Sequence, residues 1–251
     1  MVKAIQNAHG ERIDYTFHPG QPDARHVALL GHGVTGNKDR PFVIALAEGL
    51  ARAGIPALRF SFSGNGASGG RFIDATITKE VEDLGSVLEA LDGRTVCYIG
   101  HSMGAAVGVL RASRDARIRL LVSLAGMVHT HAFAQREFGT VKPGEGCMWD
   151  EPTCPLSRAY MDDLAGIGSV LEAAPSIHVP WLLVHGTADD VVPIQDSRDI
   201  VARANEPKQL IEVPGANHVF TGEFTAPMVQ TVVAWVLAQF SAMQLREAAR
   251  K

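Results

Sequence analysis

TVCYIGHSMGAAVGVLRA, residues 95–112, is the stretch on which the reading of this chain turns. Val96-Cys97-Tyr98-Ile99 is a short apolar run of strand character. Gly100-His101-Ser102-Met103-Gly104 follows it, and small residues, Ala105, Ala106 and Gly108, continue the chain as a helix opening at Met103. The result is a G-x-S-x-G pattern in a strand-turn-helix setting. A strand reversing sharply into a helix forces its central residue into a strained backbone conformation and leaves no room for side chains two positions to either side. Gly100 and Gly104 supply that room. The Ser102 hydroxyl is thereby predicted to stand above the sheet edge, over the positive end of the following helix. Taken alone, the same residues also fit a helix N-terminus capped by Ser102, so the decision falls to the flanking sequence.

The chain has 251 residues, 46% hydrophobic and 20% charged, with a formal net charge of −4. That is enough chain for one large α/β domain with an ample core. No Pro/Gly/Ser-rich linker divides it, so a single domain over residues 1–251 is expected. The absence of a basic stripe argues against a nucleic-acid partner. The first seventeen residues lack an apolar core segment, and no run of eighteen apolar residues occurs, so neither export nor a membrane partner is expected and the cytoplasm is the default location. Of three cysteines, Cys97 sits inside an apolar strand, while Cys147 and Cys154 read as free thiols whose pairing the spacing leaves open.

Outward from the central stretch, strands and helices alternate. Val2 to Ile5 and Arg12 to Phe17 read as a hairpin of edge strands. His26 to Leu30 is apolar on both faces, as a buried parallel strand should be, and ends in Gly31-His32-Gly33-Val34-Thr35-Gly36-Asn37. A helix through Ala53 follows, then a strand from Pro56 to Phe62. Thr78 is expected to cap a helix carrying Val81, Leu84, Val87, Leu88 and Leu91. Beyond the central strand and helix come a strand from Ile118 to Ala125 and a long insert, Gly126 to Ala174, holding an amphipathic helix around Tyr160 and Leu164. Strand Pro180 to His185, helix Gln195 to Ala204, strand Gln209 to Val213 and a helix from Pro227 to about Met243 complete the chain. The alternation specifies a mostly parallel twisted sheet with helices on both faces and the insert as a short cap. Sites in such sheets lie at the carboxyl ends of the strands.

Two further strand ends carry chemistry. One runs into Gly186-Thr187-Ala188-Asp189-Asp190-Val191-Val192-Pro193, the other into Val213-Pro214-Gly215-Ala216-Asn217-His218. The order Ser102, then Asp189, then His218 is that of the α/β-hydrolase triad. With His32 to Lys38, Arg59 to Gly66, Gly100 to Gly104, His185 to Asp189 and Gly215 to His218 in family order, the chain resembles an α/β-hydrolase-fold serine esterase. It is similar over nearly its whole length to the small esterases of the cinnamoyl/feruloyl type. Position 61 is Ser where such families often carry Asp, and the insert does not obviously match their cap.

Chemistry assigns the roles. Ser102 attacks an acyl carbon, His218 takes and later returns the proton, and Asp189 holds His218 in the right tautomer. Asp190 is the minor alternative, since the resemblance puts the acid three residues before the Val192-Pro193 pair. The N–H of Met103 is one oxyanion donor; the resemblance implies Val34 as the other. His32, Met127, Phe133, Trp149, Val191 and Phe220 are candidate substrate-pocket residues, with packing of the insert onto the domain as the alternative reading. No cofactor and no metal is expected, a small-molecule ester is the expected partner, and a homodimer is left open. His129 and His131 lack flanking ligands and read as cap residues at the pocket mouth or in solvent. An aromatic acyl group is implied only by the resemblance, and thioester, carbon-carbon or peptide hydrolysis could run on the same triad.

The rival from another class is an NADP-dependent oxidoreductase, because Gly31, Gly33 and Gly36 follow a strand and precede a helix with dinucleotide-fingerprint spacing. Its second strand ends in Arg59-Phe60-Ser61, with no acidic residue for a ribose, and it leaves Ser102, Asp189 and His218 unexplained. A hydrolase-fold receptor without catalysis is opposed by the intact Ser, Asp and His.

Overall fold

Residues 4–22, 24–91 and 93–249 are described by the computed structural model. Strand β1 (Ile5–Gln6) pairs antiparallel with β2 (Arg12–Ile13). The main sheet contains β3 (Tyr15–His18), β4 (His26–Gly31), β5 (Ala57–Phe60), β6 (Thr95–His101), β7 (Ile118–Leu124), β8 (Trp181–Gly186) and β9 (Lys208–Val213). Its seven strands run in the order β3-β5-β4-β6-β7-β8-β9. Only β3, at one edge, is antiparallel to its neighbour; the other pairs are parallel. This is the α/β-hydrolase fold expected from the sequence.

Two of the predicted elements differ. The run Arg12 to Phe17 is not one strand: Arg12 and Ile13 pair with β1, whereas Tyr15 onward joins the main sheet. Asp14, between them, uses its backbone on the loop after β5, its carbonyl accepting from the Ser61 N–H at 2.9 Å and its N–H donating to Ser68 Oγ at 2.8 Å. Val2 and Lys3, assigned to the first strand, lie outside the described residues. The cap of the second helix is Thr76, whose side chain accepts from the Lys79 N–H at 3.1 Å. Thr78 instead bonds Asp163 through its N–H and hydroxyl, tying this helix to the insert.

Because the central strands are apolar on both faces, side-chain alternation divides the interior into two cores. Val27, Leu29, Val96, Tyr98, Trp181 and Leu183 face one side. There they meet α2 (Ile77–Ala90) and α3 (Met103–Ala112), with Ile200 of α6 (Ile194–Arg203) in the same cluster. Ala28, Leu30, Cys97, Ile99, Leu182 and Val184 face the other, against α1 (Pro41–Arg52) and α7 (Thr225–Ala248). Between β7 and β8 the insert contributes α4 (Thr130–Phe138) and α5 (Arg158–Ile167), whose Phe133, Phe138, Tyr160 and Leu164 join the first core.

Among the described residues one helix, over residues 222–246, is long and apolar enough to cross a membrane by length and composition. Its Met228, Val232, Val236 and Phe240 recur every four residues and are buried in the second core, the stripe of a helix lying on a sheet.

The elbow between β6 and α3 leaves no room for side chains at its glycines. A Cβ at Gly100 would collide with the Gly104 carbonyl, and one at Gly104 with the His32 carbonyl. Both obstacles are backbone, which cannot swing aside. Gly104→Ala is therefore expected to destabilise the fold by about 1–3 kcal/mol. Each kcal/mol corresponds to a fall of about 2–4 °C in the unfolding midpoint, which thermal denaturation followed by circular dichroism measures directly.

Candidate active site

Ser102 occupies the turn with φ 54° and ψ −119°, a combination that non-glycine residues adopt only when the surroundings enforce it. The enforcing contacts are visible. Its N–H donates to the Leu124 carbonyl at 2.9 Å, and its own carbonyl accepts from Ala105 at 3.0 Å and from Met127 at 3.1 Å. The first glycine-rich turn closes over it: a Cβ at Gly33 would lie 2.8 Å from the Ser102 Cβ. The glycine spacing that suggests a dinucleotide site thus reflects the approach of one turn to another.

Asp189 and His218 converge from the ends of β8 and β9. Asp189 Oδ2 lies 2.8 Å from His218 Nδ1, with the Asp189 side chain fully buried and that of His218 11% exposed. The carboxylate also accepts the Val191 and Val192 N–H groups, each at 2.9 Å, and lies 3.1 Å from His185 Nε2. Burial works to raise the Asp189 pKa, but the hydrogen bonds from His185 and His218, and the field of His218, outweigh it and hold the carboxyl well below its usual range. Asp190 is exposed and takes no part in this network, so the geometry separates the two adjacent carboxylates.

Two other histidines serve the turns. His32 Nε2 accepts the Phe62 N–H at 3.0 Å, so its Nδ1 carries the proton and donates to the Gly33 carbonyl at 2.9 Å. Burial lowers its pKa to about 4. His101 Nε2 donates to the His218 carbonyl at 2.9 Å. Burial, reinforced by the neighbouring His218, lowers its pKa to about 3. His101 therefore anchors the His218 backbone while remaining neutral.

Ser102 and His218 open onto one cleft of about 310 Å³, lined also by His32, Val34, Arg40, Phe42, Trp149 and Val191. Of the candidate pocket residues, His32, Trp149 and Val191 are brought to it. Met127, Phe133 and Phe220 are not: they are 1%, 1% and 0% exposed and belong to the cores. The reason is physical, since apolar side chains on elements that cover a sheet are drawn into it before any remain for a ligand. Met103 opens α3, so its N–H has no acceptor within the helix, and Val34 lines the cleft beside Ser102. His129 is engaged by Asp199 at 3.0 Å and by Ser169 at 3.2 Å, and His131 is exposed; neither lines the cleft.

Sequence reading assigned no role to His185, whose Nδ1 lies 2.7 Å from Ser197 Oγ and whose other nitrogen reaches Asp189. Its signal was present, a polar ring four residues before the acid at the end of an apolar strand. Arg40 and Phe42 were also missed, because they belong to the start of α1 and face the site only through the tertiary fold.

This fold belongs to a known class. Residues 27–231 match the model of the Alpha/beta hydrolase family, and the chain belongs to that family. It is 31% identical over 183 residues to an uncharacterized protein of Mycobacterium tuberculosis, covering 72% of this chain but 59% of that protein. The chain thus spans little more than half the length of that relative. A monoacylglycerol lipase of Mycolicibacterium smegmatis is 26% identical, with 95% of this chain and 99% of the lipase covered. Among solved structures, Est1E of Butyrivibrio proteoclasticus, determined with ferulic acid bound, superposes with a TM-score of 0.84 over 95% of this chain and 99% of its own. Its identity is 22%, a likeness of fold.

The neutral, buried His32 and His101 make acid stability predictable. Their folded pKa values lie below the unfolded value of about 6.5, so below that pH the unfolded chain binds more protons and stability falls. For His32 the loss down to about pH 4 is on the order of 3 kcal/mol. Glu80, buried with its pKa raised by burial and then by Asp83 and Asp163, acts with opposite sign. It costs stability as pH rises above the ordinary carboxylate range. Unfolding midpoints measured from neutral to acid pH should therefore fall less steeply in His32→Gln and more steeply in Glu80→Gln than in the wild type.

Proposed function

We propose that the chain is a serine hydrolase that cleaves carboxylic esters through an acyl-enzyme on Ser102. The observation that carries the reading is the 2.8 Å contact of Asp189 with His218 Nδ1, in a cleft that His218 shares with Ser102. Asp189 fixes the proton on Nδ1, which leaves Nε2 free to act as base. That nitrogen accepts the Ser102 proton as Oγ attacks the acyl carbon, and Asp189 stabilises the imidazolium that forms. His218 then protonates the departing alcohol, and water repeats the sequence to release the acid. His185, Val191 and Val192 keep Asp189 ionised throughout by supplying donors that would be unsatisfied if it took a proton.

The backbone N–H groups of Val34 and Met103 are proposed to receive the developing oxyanion, each donor worth about 2.7–4 kcal/mol of barrier. The strained Ser102 backbone holds nucleophile and donors together in advance, so little reorganisation accompanies the reaction. Residues 126–174 are read as a cap on a single domain, supported by Trp149, which reaches the cleft from within the insert. The monoacylglycerol lipase among the relatives and the ferulic acid held by Est1E both support an ester substrate. A cytoplasmic location and an aromatic acyl group remain part of this proposal.

Hydrolysis of p-nitrophenyl esters of increasing acyl length provides the test. Ser102→Ala and His218→Ala are expected to lower kcat by about 10⁶, and Asp189→Asn by about 10⁴. Asp190→Asn should hydrolyse the same esters at the wild-type rate, and circular dichroism should show each variant folded. Turnover retained in Ser102→Ala would overturn the mechanism. Separately, Trp149→Ala removes a wall of the cleft and is expected to shift the preferred acyl length upward, read as the ratio of kcat/KM for long over short esters.

A further inference from the structure

One buried ionisable side chain has no part in the mechanism proposed above. Glu80, in the first turn of α2, is 1% exposed, and among the described residues neither of its carboxyl oxygens has a hydrogen-bond partner. A buried polar group left in this way is costly, and its retention asks for a use. The neighbouring groups are already committed. Asp83 accepts from Asn7 Nδ2 and from the Ser63 N–H, each at 2.7 Å. Asp163 is held by Thr78. Lys79 is turned to Glu11 at 2.9 Å, and the Tyr160 hydroxyl lies 3.7 Å from Met103 Sδ.

Glu80 lines a cavity of about 10 Å³, room for about one water-sized group. Its other walls include Phe72, Met148 and Tyr160, together with Val34 and Met103, the two residues proposed as oxyanion donors. Val34 and Thr35 are shared with the Ser102 cleft. The cavity therefore lies next to the place where the acyl carbon of a substrate would be held. Met103 and Met148, both unbranched and adaptable, form part of its wall.

Burial, followed by the fields of Asp83 and Asp163, favours the uncharged form of this carboxyl. A carboxylic acid in the wall of a mostly apolar cavity, whose polar lining residues besides Glu80 are Thr35, Asn65, Ser157 and Tyr160, presents one hydrogen-bond donor and one acceptor. A hydroxyl group matches both. Plain hydrocarbon leaves both unsatisfied, a carboxylate would meet Asp83 and Asp163, and an ammonium group would have to shed its hydration in a space too small to carry it.

The geometry points to Glu80 as a specificity-determining residue, receiving an uncharged hydroxyl carried by the acyl group, so that hydroxylated acyl esters are preferred over their hydrocarbon counterparts. The inference rests on the ester-hydrolase reading given above. The test compares kcat/KM at neutral pH for two matched pairs, methyl phenylpropanoate with its para-hydroxy derivative and methyl butanoate with its β-hydroxy derivative. The wild type is expected to prefer the hydroxylated member of at least one pair by about tenfold or more. Glu80→Gln keeps a donor and an acceptor and should keep the preference; Glu80→Leu and Glu80→Met should bring the ratio toward one. A wild-type ratio near one in both pairs overturns the inference without recourse to any variant, as does an unchanged ratio in Glu80→Leu or Glu80→Met. Failure of the wild type to hydrolyse any of the four esters overturns the ester-hydrolase reading, and this inference with it. Turnover of the parent esters with flat ratios overturns the inference alone.

Discussion

The backbone of Ser102 cannot relax. Its φ of 54° is held on one side by hydrogen bonds to Leu124, Ala105 and Met127, and on the other by the Gly33 turn lying against its Cβ. The contacts come from the end of β7 (Leu124 and Met127), the start of α3 (Ala105) and the turn after β4 (Gly33), so the strained turn exists only once β4, β6 and β7 are paired in register and α3 lies on them. Strain of this kind, about 1–3 kcal/mol, persists because many independent contacts would be lost together if it were released. The same contacts fix where the hydroxyl points, which is why the architecture around the elbow reads as a support for one side chain.

Electrostatics at the site follow from how many donors each buried group has, rather than from burial alone. Asp189 and Glu80 are both carboxyls in the interior, yet their pKa values move in opposite directions. Asp189 has two histidines and two backbone N–H groups around it. Glu80 has acidic neighbours and no hydrogen-bond partner among the described residues. His32 and His101 show the complementary case: the backbone carbonyls of Gly33 and His218 that accept from them favour a charged ring, but burial outweighs that single acceptor and keeps each imidazole neutral.

Much of this was legible in the sequence because the elements that set it are local. The run Val96 to Ile99 followed by Gly100 and Gly104 specifies strand, turn and helix within ten residues, and the strand ends before Asp189 and His218 are equally plain. The same locality explains the failures. Asp14 divides a strand only because its backbone is recruited by Ser61 and Ser68, distant in sequence. Thr78 looked like a cap because its hydroxyl precedes a helix, but Thr76 stands at the position from which an oxygen reaches the Lys79 N–H. Met127, Phe133 and Phe220 have the chemistry of pocket walls, and nothing within a few residues of them says that they face a core.

The glycine-rich turn after β4 shows how one spacing can serve two physical ends. In a dinucleotide site, glycines let a pyrophosphate approach the backbone and a helix N-terminus. Here Gly33 is required because a serine Cβ stands where its own side chain would be, and Gly36 because the Gly33 carbonyl lies 2.8 Å from where its Cβ would project. Both sequences need a backbone without side chains at the end of the first parallel strand, since in both the turn must come close to something. What distinguishes them is the identity of the approaching group, and that is supplied by another part of the chain. A motif of glycines therefore specifies proximity, and the partner strand decides what the proximity is for.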